Sequence, residues 1–278
     1  MKKILLIILF LGFILIPIFF VYAQETIKIL LVPGHDDEVW GAQYGNMKEA
    51  DMTLALATKI YNLLKKDEKF EVYITRSSEG YTKEFADYFA DRQADVVSFK
   101  ENAKKEMQSK VDNGSFIQKT NPPHNRVSED MAIRLYGFNK WANENKMDAV
   151  IHIHFNDYPR PKKWTIGKYR GFVIYIPEGQ MVNWMGSGQL AANIFIQLNK
   201  KYATSNYEKE LGGLTPDQTL IALGSNGTLN AGARSVLVEY GYIYEKKFRT
   251  KNTREQTYKN MAQLTVTGVK KYFFKNGP

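Results

Sequence analysis

The stretch Ile27-Lys28-Ile29-Leu30-Leu31-Val32-Pro33-Gly34 decides the fold. From Ile27 to Val32 it is apolar at every position but Lys28, without the alternation of a half-solvated strand, and Pro33-Gly34 breaks it. Such a run reads as a strand buried on both faces, which belongs to a parallel sheet covered by helices. Downstream, Met52, Leu54, Ala55, Leu56, Ile60, Leu63 and Leu64 recur near helical spacing between Lys48 and Lys66, and Phe70 to Thr75 follows as a second strand. The unit is strand, helix, strand. The alternation returns with strands at Ala149 to Phe155, Phe172 to Ile176 and Val236 to Tyr240, and with helices around Met131 to Asn145 and Ser187 to Tyr202. Thr253 and Gln256 have capping-box spacing for a last helix, whose Tyr258, Met261, Leu264 and Phe273 would lie against the sheet. The expected class is α/β with a mostly parallel central sheet flanked by helices.

One segment departs from that rhythm. Ser77 to Asn125 carries a charged helical pattern from Lys83 to Lys110 and then a loop rich in Asn, Pro and Ser, and reads as a helical and loop insertion after the second strand. Its aromatics Phe85, Tyr88, Phe89 and Phe99 are expected to pack it onto the body.

The 278 residues are 44% hydrophobic, 24% charged and 13% aromatic, which excludes a disordered or collagen-like chain. The 20 Gly and 9 Pro are scattered, so no linker divides residues 24–278, which are expected to form one catalytic domain with the insertion at about 77–125. Lys2 and Lys3 precede 19 uncharged residues from Ile4 to Tyr22, and Val21 and Ala23 stand where a signal peptidase reads. Residues 1–23 are therefore a signal peptide or an N-terminal anchor, and the chain is expected to cross the cytoplasmic membrane to the envelope or the exterior. If uncleaved, residues 4–22 would anchor it in the membrane.

The absence of Cys excludes disulfides, a lipidated N-terminal cysteine and thiol chemistry. A net charge of +9 favours an anionic partner such as a wall polymer or a lipid surface. Nucleic acid is not the expected anion, because the cations are spread in pairs such as Lys65-Lys66, Lys104-Lys105 and Lys270-Lys271.

In α/β sheets, ligands collect beyond the carboxyl ends of the strands. Three such ends are polar here: Pro33-Gly34-His35-Asp36-Asp37-Glu38, with Glu49 at the start of the next helix; His152-Ile153-His154-Phe155-Asn156; and Val236-Leu237-Val238-Glu239-Tyr240-Gly241. Two imidazoles and a carboxylate from separate elements make the ligand set of a catalytic zinc site, which His35, Glu49 and His154 would supply. Glu239, ending an apolar strand, suits a proton carrier beside the metal.

The string Pro33-Gly34-His35, Glu49-Ala50-Asp51, Thr75-Arg76, Ile153-His154-Phe155-Asn156 and Leu237-Val238-Glu239-Tyr240-Gly241 resembles the zinc-dependent N-acetylmuramoyl-L-alanine amidases, in that family's order and from Lys28 to about Lys271. The resemblance implies a three-layer α/β sandwich. It also implies Zn²⁺ on His35, Glu49 and His154, Glu239 as catalytic acid/base, and peptidoglycan as partner. The bond would be the amide between N-acetylmuramic acid and L-alanine.

The departures from the family pattern are Val32 before the Pro-Gly-His and the acidic Asp36, Asp37 and Glu38 after it, read as a solvated loop. His152 stands where the family has a small polar residue and, with Asn156, is expected to support the site or contact substrate. Arg134 and Arg92 compete for the position of a family arginine, His124 reads as a surface residue, and Leu223 to Asn230 as a loop bordering the groove. Two rival readings remain at this stage. His35-Asp36-Asp37-Glu38 is similar to the motif of zinc-dependent de-N-acetylases, and a non-catalytic wall-binding protein would use the same scaffold without the reaction.

Overall fold

The computed structural model describes residues 26–120, 127–162, 164–224 and 227–275; the leader of residues 1–23, His124 with Pro122 and Pro123, and Ser225 and Asn226 lie outside them. In chain order the elements are β1 (Ile27–Pro33), β2 (Gln43–Tyr44), β3 (Met47–Lys48), α1 (Glu49–Leu64), β4 (Phe70–Ile74), β5 (Arg76–Ser77), β6 (Gly80–Tyr81) and α2 (Lys83–Asp112). They continue with α3 (Glu129–Glu144), β7 (Ala149–Asn156), β8 (Val173–Pro177), α4 (Trp184–Leu198), β9 (Leu214–Asp217), β10 (Arg234–Tyr242), α5 (Lys246–Arg249) and α6 (Lys251–Lys275).

Six strands form the central sheet in the order β4-β1-β7-β10-β8-β9. Every neighbouring pair is parallel except β10 and β8, so the sheet is mixed but mostly parallel and flanked by helices, as expected. Within this sheet the strand missed from sequence is β9, where Pro216 removes a ladder donor; it lies at the sheet edge, where that loss is tolerated.

The pleat assigns residues to faces. Ile151, Ile153 and Phe155 of β7 and Val236, Val238 and Tyr240 of β10 enter the main core with α1, α4 and α6. The other face packs α2 and α3 through smaller clusters, including Leu30, Val32, Phe85, Phe138 and Trp141. The aromatics of the 77–125 segment do pack inward: Phe85 is fully buried, Phe89 stacks on Phe138 at 5.4 Å, and Phe99 meets Tyr136 at 6.4 Å. Tyr88 donates to Glu144 of α3 at 2.7 Å. α2 breaks at Arg92, which has non-helical angles (φ −118°, ψ 16°).

The cap of α6 differs from the expected one. The Thr250 hydroxyl accepts from the Thr253 amide at 3.3 Å, so the helix starts one turn before the Thr253-Gln256 pair. Thr253 therefore lies inside the first turn rather than at its cap.

Candidate metal centre

The parallel register brings the polar strand ends into one row. Val32 pairs with His152 and Pro33 with Ile153, while His154 pairs with Glu239 on the other side of β7. The chain then turns sharply at His35, whose φ of 61° is left-handed. That turn is held by Gly34 N donating to Ile153 O at 2.9 Å and Asp36 N to Val39 O at 3.1 Å. A side chain at Gly34 is impossible without displacement, because a Cβ there would stand 2.2 Å from His154 Cε1. Gly41, at φ 67°, has the same constraint from the other side, with a Cβ 2.4 Å from the His35 ring and 2.5 Å from Glu49 Oε2.

Glu49 opens α1, where the helix dipole favours a carboxylate. Its Oε2 accepts from Ala42 N at 2.8 Å and faces His35 Nε2 at 3.2 Å. Its Oε1 accepts from Phe155 N at 3.1 Å and faces His154 Nδ1 at 3.0 Å. Burial alone would raise the Glu49 pKa, but hydrogen bonds with His154 and His35 outweigh it and hold the carboxyl far below the usual range. His35 shows the reciprocal effect: burial opposes its charge, yet the Glu49 hydrogen bond leaves its pKa raised.

One donor atom from each of His35, Glu49 and His154 lies within 4.8 Å of the others, the grouping a metal ion requires. His35 Nε2 faces the Glu49 carboxylate, so a donor nitrogen of this imidazole is already aimed at the cluster. The donor set of two imidazoles and one carboxylate suits zinc and leaves a position for water. The three residues form a metal-binding triad.

Arg76 fixes this loop from beneath. Its Nη2 donates to Gly34 O at 3.2 Å, to Ala50 O at 2.6 Å and to Thr53 Oγ1 at 3.0 Å, and Thr53 Oγ1 donates to Gly34 O at 2.7 Å. The acidic loop is not simply solvated. Asp36 is buried, accepting from the Glu38 and Val39 amides at 3.1 and 2.8 Å, and it pairs with Arg134, which also bridges to Glu38 at 2.6 Å. Asp36 is thus held by Arg134 and by the amides of its own loop. Arg134, rather than Arg92, reaches the site loop; Arg92 pairs locally with Asp95.

Glu239 is partly buried beside His154, and its Oε2 has no hydrogen-bond partner among the described residues. Burial, reinforced by the negative charges of Glu49 and Glu210, pushes its carboxyl well above the usual range. Asn156 donates to Glu210 Oε1 at 2.9 Å. Glu210, which no sequence signal singled out because it sits in the charged string Glu208-Lys209-Glu210, is buried and also accepts from Tyr175, Ser205 and Tyr242. His152 is buried; burial and the neighbouring His154 push its pKa down to about 3, against an opposing interaction with the Ala222 backbone. It lines a cavity of about 290 Å³ with His35, His154, Tyr81, Phe138 and Leu237. Leu223 of the expected groove loop ends a short 3₁₀ turn, and Leu220 and Ala222 at this turn line the same cavity.

Fold and site together define an α/β metallohydrolase with its centre at the carboxyl ends of parallel strands. The family model described as N-acetylmuramoyl-L-alanine amidase matches residues 29–271, and the chain belongs to that family. Its activity is hydrolysis of the N-acetylmuramoyl-L-alanine amide of peptidoglycan, which places its action in the cell envelope.

Solved structures with the same fold include an N-acetylmuramoyl-L-alanine amidase from Clostridium difficile 630, at 18% identity over 91% of this chain and 100% of that one, with TM-score 0.57. The corresponding enzyme of Mycobacterium smegmatis is 16% identical over 90% and 97%, with TM-score 0.55. The catalytic domain of an amidase from Bacillus (Paenibacillus) polymyxa var. colistinus is 15% identical over 89% and 98%, with TM-score 0.53. No curated protein sequence gives a significant match.

Proposed function

We propose that the chain is a zinc-dependent amidase exported by way of residues 1–23, with His35, Glu49 and His154 holding Zn²⁺ and Glu239 as its acid/base. When bound, zinc polarises the amide carbonyl and lowers the pKa of water to about 7. The supporting observation is the register that sets Glu239 beside His154, next to three converging donors.

Each residue has a distinct part. Glu49, fixed by the Ala42 and Phe155 amides, presents its oxygens toward the two imidazoles. Glu239, whose proton affinity is raised, takes the proton of the attacking water at its free oxygen and returns it to the leaving L-alanine nitrogen. Asn156 supports this arrangement through Glu210, whose charge acts on Glu239, and His152 lines the adjoining cavity on the substrate side. The segment at 77–125, seated on α3, flanks the entrance through Tyr81.

The deciding experiment is mass spectrometry of purified peptidoglycan digested with and without a chelator. Stem peptides with a free L-alanine amine, lost on chelation and restored by zinc, are the expected products. Release of acetate would establish a de-N-acetylase instead, and zinc-loaded protein that binds sacculi but frees no amine would establish a binding protein. His154→Ala is expected to remove metal and activity together, and elemental analysis finding stoichiometric zinc in that variant would overturn the ligand assignment.

A further inference from the structure

The sheet has a second pole, opposite the metal centre, where β1, β7 and β10 begin. α4 starts there and α6 ends there: Ser235 N donates to Ser187 Oγ at 2.8 Å, and Arg234 Nε donates to the Tyr272 hydroxyl at 2.8 Å. The end of α1 joins them, since Lys270 Nζ reaches Asp67 Oδ2 at 2.6 Å. Around this pole, the start of α4 leaves Val182, Trp184 and Met185 exposed by 64%, 43% and 59%. Ile117, 73% exposed, is tied beside them by hydrogen bonds with Gln180 of 2.8 and 3.1 Å.

Positive charge accompanies these side chains. Lys65 and Lys66 follow α1, Lys69 precedes β4, Lys146 follows α3 and Lys271 lies in the last turns of α6. Among the described residues none of the five forms an ion pair, whereas Lys28, Arg234 and Lys270 at the same pole are paired with Glu71, Asp148 and Asp67. The chain also enters the fold here, because Ile27 opens β1 only a few residues after the uncharged run from Ile4 to Tyr22.

We propose that this pole is a docking surface for an anionic lipid bilayer. Indole and thioether side chains exposed at the same pole as lysines without ion pairs match the interfacial zone of a membrane, where Trp settles at headgroup level and Lys meets acidic headgroups. Charge complementarity and the entry point of the apolar leader select this occupant over a neutral protein surface. At about 3.3 Å per residue, strands of this length hold the metal centre roughly 23–30 Å above the lipid, facing outward. The proposal concerns a surface remote from the reaction and stands independently of the amidase assignment.

The absence of cysteine makes the test clean, since one introduced thiol carries an environment-sensitive fluorophore without background. The full-length chain is labelled at Val182→Cys, at Met185→Cys as a second reporter, or at Ile166→Cys, an exposed position in the segment after β7, and added to vesicles of phosphatidylglycerol or phosphatidylcholine. The expected result is a blue-shifted, brighter emission at 182 and 185 with phosphatidylglycerol, little change at 166, and loss of the shift when Lys65→Glu and Lys66→Glu are combined. Silence at 182 and 185, an equal response at 166, or an equal response to phosphatidylcholine would overturn it. A shift without vesicles that grows with protein concentration would overturn it in favour of a second copy of the chain.

Discussion

The two faces of the central sheet are built from the same strands and do different work. On the face covered by α1, α4 and α6, β7 contributes Ile151, Ile153 and Phe155 and β10 contributes Val236, Val238 and Tyr240, all fully buried in one continuous apolar cluster. At the alternate positions the same strands carry His152, His154 and Asn156, and Ser235, Leu237 and Glu239, against smaller clusters and a cavity of about 290 Å³. A two-residue period lets one strand anchor the fold with every second side chain and present chemistry with the others.

The comparison breaks first at Glu239. Glu239→Gln is expected to lower kcat/KM on peptidoglycan by about 10²–10⁴-fold, the usual contribution of a general acid/base, while zinc content and thermal stability stay near those of the wild type. A large fall in melting temperature would show that the polar face also holds the fold. Phe155→Ala, one residue from His154 but on the other face, should do the reverse. It would destabilise by about 3–5 kcal/mol in denaturant titration, with metal retained in the folded fraction.

Metal removal sits between these cases. If zinc is present at 100 times its dissociation constant, chelation should lower unfolding stability by about 2.7 kcal/mol, and the His154→Ala protein should show no such loss on chelation. Arg76→Met tests the tie beneath the triad. Losing a charged donor to the Gly34 and Ala50 carbonyls should cost about 1.5–3 kcal/mol and loosen zinc binding, as measured by competition with a chromophoric chelator. Thr250→Ala should have the smallest effect, about 1 kcal/mol from the α6 cap with no change in activity, and should exceed that of Thr253→Ala.

Much of the site was legible because its residues sit where strands end. His35 follows a Pro-Gly break, His154 and Glu239 end apolar runs, and Glu49 opens a helix, so element type and position already aimed them at one crevice. Glu210 was not legible, because a carboxylate in a charged string looks solvated until Asn156, Tyr175, Ser205 and Tyr242 are folded around it. Asp36 misled for the same reason. Its neighbours Asp37 and Glu38 suggest an open acidic rim, and only the packing of α3 brings Arg134 to it.

What the sequence determined by itself is the succession of β1, α1, β4, β7, β8, α4 and β10, the shared face of His152, His154 and Asn156 on β7, and the polar strand ends that offer the triad, because hydrophobic periodicity and chain breaks are local properties. Tertiary structure alone decided that β8 runs antiparallel to β10, that Pro216 lies in an edge strand, and that His152 is buried at a cavity it shares with Ala222 and Leu237. It also gathered the unpaired lysines and Trp184 at one pole, far from the metal centre. Those outcomes depend on which surfaces meet across long chain separations, and no local spacing encodes such a meeting.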